Sequence, residues 1–226
     1  MIRRDYLLRM IEQCVQSIMR IRGQLDARQY AEAGAGLDQA FLDLIGTGAE
    51  AVSQLSETEL LAKLTVGDPT HVFREKSLLL VALLQEAGQV HAAAQREAQS
   101  QDCLLKALNL LLTLQLQDTD LELPGFVPRI EVLRQQLLDA PLPTRTQAAL
   151  WRYYERMGAY AQAEDALFAL LDVEPGNAAL ISEGIMFYER LLRLSDATLE
   201  AGNLPRNEVN ASLAEVRALE ANVRVE

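Results

Sequence analysis

Apolar residues recur at three- and four-residue intervals along almost the whole chain, and no stretch alternates apolar and polar in the two-residue rhythm of a strand. This pattern predicts a first helix over residues 3–25, where Leu7, Leu8, Ile11, Cys14, Val15, Ile18, Ile21 and Leu25 form a wide apolar stripe. A second helix is expected over 28–45, closed by Gly46-Thr47-Gly48. Ser56 and Glu59 make a capping box that opens a short helix to Leu64. Gly67-Asp68-Pro69 marks the next boundary, with Asp68 as N-cap and Pro69 in the first turn. The helix after it carries a near-continuous apolar run over 78–84, so burial on most sides is expected. Gly88 is read as its end, with a long helix running on to Leu116.

Pro124, Gly125 and Pro128 then break the chain, since none suits the interior of a regular helix. A short helix is expected over 128–138, and Pro141 and Pro143 punctuate again. Asn177 caps a long helix, and Gly202-Asn203 turns the chain into a last one. The sum is an all-α chain of about nine or ten helices, organised as residues 1–117 and 118–226 packed as one continuous unit.

The segment LWRYYERMGAYAQAEDALFALLDVEP, from Leu150 to Pro175, reads as helix, tight turn, helix and proline stop. Gly158 suits the left-handed backbone at a helix end, and Ala163 is small enough to let two helices touch. Tyr160 covers the turn. The spacing of Tyr154, Gly158, Tyr160, Ala163, Leu167 and Pro175 resembles a tetratricopeptide repeat, a helix–turn–helix unit of about 34 residues.

Weaker copies are visible. Tyr30, Ala33, Leu37, Ala40 and Phe41 repeat the spacing of Tyr160, Ala163, Leu167, Leu170 and Leu171, while Gly88, Val90 and Ala93 echo Gly158, Tyr160 and Ala163. The anchors Ala33, Ala93 and Ala163 stand 60 and 70 residues apart, so the array of antiparallel hairpins is irregular, with short helices between them. A compact bundle is the competing geometry. The resemblance implies a module that binds protein or peptide on a concave face. Separately, MIRRDYLLRMIEQ is similar to the start of a family of small uncharacterised bacterial proteins, which implies a bacterial source and gives no function.

Composition narrows the function. A net charge of −11 argues against nucleic-acid binding, which needs phosphate-neutralising Lys and Arg. Residues 1–28 nevertheless carry +3, against −14 for the remainder, and the interleaved signs favour docking of this helix on the rest of its own chain over a membrane surface. Cys14 and Cys103 lie in apolar runs and read as buried thiols of a reducing cytoplasm. The first residues lack a signal-peptide pattern, and no apolar run reaches the ~18 residues of a membrane helix. The acceptor motif at Asn210-Ala211-Ser212 then has no meaning.

Candidate chemistry is thin. His71 and His91 have no partners at metal-ligand spacing, so no metal or cofactor is expected. Gly46-Thr47-Gly48 through Ala51 matches a dinucleotide fingerprint in letters alone, because a helix precedes it where a strand is required. The carboxylate pairs Glu57/Glu59, Asp118/Asp120 and Glu164/Asp165 read as solvated surface. Gly34 and Gly36 inside a helix suggest close packing or the approach of a partner's backbone.

The sharpest candidates are Arg145, Arg152 and Arg156, spaced seven and four apart on one helix face. By the resemblance they line a groove, where they could grip the carboxylates of an acidic peptide. Their internal alternatives are Glu155, Glu164 and Asp165. The expectation is a non-catalytic cytoplasmic scaffold or adaptor, with a small-ligand or peptide sensor as the alternative. Apolar area left on the 7–18 stripe and on the leucines over 104–116 predicts a homodimer.

Overall fold

The structure is a computed structural model that describes residues 2–65, 70–118, 121–137 and 140–223. These residues form twelve helices and contain no strand, so the chain is all-α. It divides into two compact units, Met1–Pro141 and Leu142–Glu226.

In the first unit, α1 (Ile2–Asp26) and α2 (Tyr30–Ile45) form one hairpin, and α5 (Thr70–Ala93) and α6 (Glu97–Gln117) form another. The short helices α3 (Ala49–Gln54) and α4 (Glu57–Thr65) lie between the hairpins in sequence. α5 is the centre, contacted by α1, α2, α4 and α6. Residues 77–88 of α5 are buried without a gap, as the unbroken apolar run requires. Each fully buried leucine there stabilises the fold by about 2 kcal/mol. The stretch 118–128 stays inside this unit, because α7 (Ile130–Gln136) follows it and packs on α6. The division falls instead at the prolines flanking Leu142.

In the second unit, α8 (Thr144–Met157) pairs with α9 (Tyr160–Val173), and α10 (Ala178–Leu191) pairs with α12 (Arg206–Val223). The short α11 (Asp196–Ala201) precedes α12. Ala163 is fully buried at the α8–α9 contact. Asn177 caps α10, its Oδ1 accepting from the amides of Ala179 and Leu180 at 3.1 Å each.

One helix ending occurs four times. Arg28, Gln95, Gly158 and Asn203 all have positive φ. In each case the amide of the next residue donates to a carbonyl five positions back: Gln29 to Gln24, Arg96 to His91, Ala159 to Tyr154, and Leu204 to Leu199. This is the Schellman ending. After the first three, the new helix places a small buried residue at its fourth position: Ala33, Ser100 and Ala163.

The reading of Gly88 as a turn is therefore corrected. α5 runs through it to Ala93, and the turn lies at Gln95. Gly88 is glycine for contact: a Cβ there would lie 2.7 Å from Leu104 Cγ and 3.3 Å from the Ser100 carbonyl. The internal anchor is Ser100, not Ala93. Gly34 and Gly36 are corrected too. A Cβ at 34 meets nothing within 4 Å, and at 36 it meets Ile21 at an ordinary 3.4 Å, so packing demands neither glycine.

Other readings hold. Gly46 ends α2 in the left-handed region, and Asp38 Oδ1 accepts from the Ala49 amide at 2.8 Å where α3 begins. The capping box closes, with Ser56 N donating to Glu59 Oε2 at 2.8 Å and Glu59 N to Ser56 Oγ at 3.3 Å. No helix among the described residues is long and apolar enough to cross a membrane. Burial pushes the thiols of Cys14 and Cys103 up to about 12 and 11, so both stay protonated. The apolar area expected to remain on the leucines of α6 is corrected: Leu104, Leu108, Leu110, Leu111, Leu112 and Leu114 are all buried within the unit. Asp68, Pro69 and Asp120, and the side chains of Leu7 and His71, lie outside the described residues.

Candidate functional site

The α8 sequence puts Leu150, Trp151 and Tyr154 inside and Arg145, Arg152 and Arg156 outside, and all three arginines are exposed. Trp151 packs edge-on against Phe187 of α10, with ring centroids 5.7 Å apart at 82°. That contact brings α8 beside α10, and polar residues of the two helices meet above it. Arg190 clamps Glu155 with both ends of its fork, Nε to Oε1 at 2.7 Å and Nη2 to Oε2 at 2.9 Å. This hydrogen bonding raises the Arg190 guanidinium above its ordinary range. Arg152 Nη2 lies 3.9 Å from Glu183 Oε2, at the limit of an ion pair.

These groups enclose a cavity of about 160 Å³ lined by Trp151, Arg152, Glu155, Glu183, Met186 and Arg190. Trp151 is only 4% exposed, and its indole N–H has no hydrogen-bond partner among the described residues. Met186 is 47% exposed and offers an apolar edge. The formal charges of the two arginines and two glutamates cancel.

Of the three arginines singled out by spacing, only Arg152 lines this cavity. Arg145 and Arg156 share its helix face, and each has an interaction of its own. Two of the carboxylates expected to neutralise the row are engaged elsewhere: Glu155 by Arg190, and Glu164 by the Tyr188 hydroxyl at 2.8 Å. Trp151, Met186 and Arg190 were not legible as site residues. A tryptophan at an apolar helix position reads as core, and Arg190 meets Glu155 across 35 residues of sequence.

The remaining candidates are structural. Glu57 accepts from Asn109 Nδ2 at 2.8 Å, and hydrogen bonds from Ser56 hold Glu59 below the usual carboxylate range. His91 is half-buried, and burial followed by the charge of Arg96 lowers its basicity. Among the described residues no three His, Cys, Asp or Glu side chains converge on a metal site.

No curated protein and no solved structure matches this chain. The kinship expected from MIRRDYLLRMIEQ points the same way as the comparison with family models, which finds an uncharacterised family and no tetratricopeptide family. The match is to a family described as of unknown function (DUF6483), it spans residues 1–221, and the chain belongs to that family.

Proposed function

We propose that the protein is a non-catalytic scaffold or adaptor that recognises a protein or peptide at the α8–α10 cavity. The observation that carries this reading is the indole N–H of Trp151, buried beside the cavity with no acceptor among the described residues. An unmade hydrogen bond at a buried donor costs roughly 1–3 kcal/mol, and a carbonyl or carboxylate from a partner would recover it. Arg152, whose side chain is 64% exposed, is the nearest cation able to hold an acidic group there. Arg145 and Arg156 extend the positive row along α8, which favours acidic residues flanking the anchor.

At the α8–α10 cavity, volume favours a peptide over the alternative, a small-ligand sensor. Small-molecule sites enclose roughly 300–1,000 Å³. A cavity of about 160 Å³ accepts one side chain.

The test uses a partner captured from the native host and titrated against purified variants. Trp151→Phe keeps the ring and removes the donor, so binding weakens about tenfold with little change in the melting temperature. Arg152→Ala weakens it comparably, whereas Arg217→Ala, paired with Glu189 on an exposed surface, changes little. Equal affinity across all three variants sinks the site. Turnover in a hydrolase and transferase screen, abolished by changing one carboxylate or histidine, sinks the non-catalytic reading.

A further inference from the structure

A second surface lies in the first unit, along the seam of α1 and α2. Two adjoining cavities of about 370 and 440 Å³ share Gln13, Ser17 and Asp43 in their walls. One ends at Arg9 and the other at Arg20. On α1 the residues Arg9, Gln13, Gln16 and Arg20 follow at steps of four, three and four, which makes one straight row. At 1.5 Å per residue the two arginines stand about 16 Å apart along the helix.

None of Arg9, Gln13, Gln16, Ser17 and Arg20 makes a side-chain hydrogen bond or ion pair among the described residues. Arg22, on a different face of the same helix, shows what docking looks like. Its Nε donates to the fully buried Glu86 at 2.7 Å, and its Nη2 to the Phe126 carbonyl at 3.4 Å. The basic helix thus docks on its own chain through Arg22 and not through Arg9 or Arg20. In a chain with 32 acidic and 21 basic residues, two cations left unpaired among the described residues at the ends of one trough are open to an external anion.

The α2 wall is low. Ala40 lines it, and at Gly36 the Arg20 Nη2 would lie 3.9 Å from an added Cβ. Packing does not require Gly36, yet glycine there costs roughly 0.5–1 kcal/mol relative to alanine. Asp43, near the middle, accepts from Gln39 Nε2 at 2.8 Å and repels any carboxylate placed there.

We propose that this trough docks an extended acidic segment of another protein. Its two carboxylates sit on Arg9 and Arg20, and its backbone amides meet Gln13, Gln16 and Ser17. A span of about 16 Å is about five residues of extended chain, and successive side chains alternate faces, so two acidic side chains on the face toward the helix stand four or six positions apart. The surface is independent of the α8–α10 cavity.

The probe is a fluorescein-labelled peptide with two glutamates separated by three uncharged residues, followed by anisotropy on the full chain. The double variant R9E/R20E binds it at least tenfold more weakly than wild type. Because both side chains are exposed and unpaired, its circular dichroism melt stays that of wild type. R217A binds like wild type, and the same peptide with lysines in place of glutamates does not bind. Loss of binding in R152A with none in R9E/R20E moves the peptide to the α8–α10 cavity and overturns this proposal alone. Equal binding by all variants overturns it as well. So does a dimer in light scattering that R9E/R20E dissociates while the peptide fails to bind, since the occupant is then a second copy. Phosphatidylserine vesicles that bind through Arg9 and Arg20 while the peptide fails also overturn it.

Discussion

In the second unit α8 ends on Gly158 at φ 72°, whereas in the first unit α1 and α5 end on Arg28 and Gln95 at 59° and 57°. The hydrogen bonds around the three turns are the same, and so is the small buried residue four positions into the next helix. The left-handed backbone is therefore imposed by the Schellman ending, and glycine is its lowest-cost occupant rather than its cause. A non-glycine residue there costs about 1 kcal/mol. The first unit carries that cost twice, around a central helix buried over twelve successive residues, 77–88.

The comparison breaks most sharply at Gly202. It lies against the glycine turn of the second unit, where an added Cβ would collide with the Tyr160 ring and sit 2.5 Å from the Gly158 carbonyl. Gly202→Ala is expected to destabilise the second unit by about 3 kcal/mol, because one obstacle is backbone and cannot rotate away. A melt of the full chain followed by near-ultraviolet dichroism of Trp151, its one tryptophan, reads this. An unchanged transition removes the inter-turn contact from the account.

Exchanging the turn residues gives the next effect. Gln95→Gly is expected to stabilise the first unit by about 1 kcal/mol, and Gly158→Gln to destabilise the second by about the same. Denaturant titrations of the full chain measure both. Equal signs for the two changes would mean that the turns are not equivalent.

The smallest effect concerns how each unit holds a carboxylate. Burial raises Glu86 in the first unit, opposed by the hydrogen bond and charge of Arg22. Burial also raises Glu164 in the second unit, opposed by hydrogen bonds from Ser212 and Tyr188. A raised carboxyl favours the neutral form in the folded state. Its contribution is complete below the ordinary value of 4.5 and is lost as pH rises through the raised value. Glu164→Gln is therefore expected to match wild type in acid and to melt higher at neutral pH, still accepting from Tyr188. A melting-temperature difference that stays constant with pH contradicts this.

What could be read from the sequence follows from the range of each interaction. Gly158, Ala163, Asn177 and the Ser56–Glu59 box were legible because their partners lie within a turn or two. Gly88 was misread because a glycine that ends a helix and one that admits Leu104 look alike in one dimension. Gln95 was invisible as a turn because nothing in its side chain favours positive φ. At the candidate site, the arginine row was visible from its spacing, but the Arg190–Glu155 clamp and the unpaired Trp151 donor exist only once α8 and α10 lie side by side.

The contact between the two turns of the second unit makes one amide informative. First-turn N–H groups of a helix normally face water and exchange with it rapidly. The Ala161 amide instead donates to the Gly202 carbonyl at 3.1 Å, in a hairpin distant in sequence. Its deuterium uptake is thus gated by separation of the α11–α12 turn from the α8–α9 turn, not by fraying of α9. Followed by nuclear magnetic resonance, this one proton times the opening of the unit that carries the α8–α10 cavity.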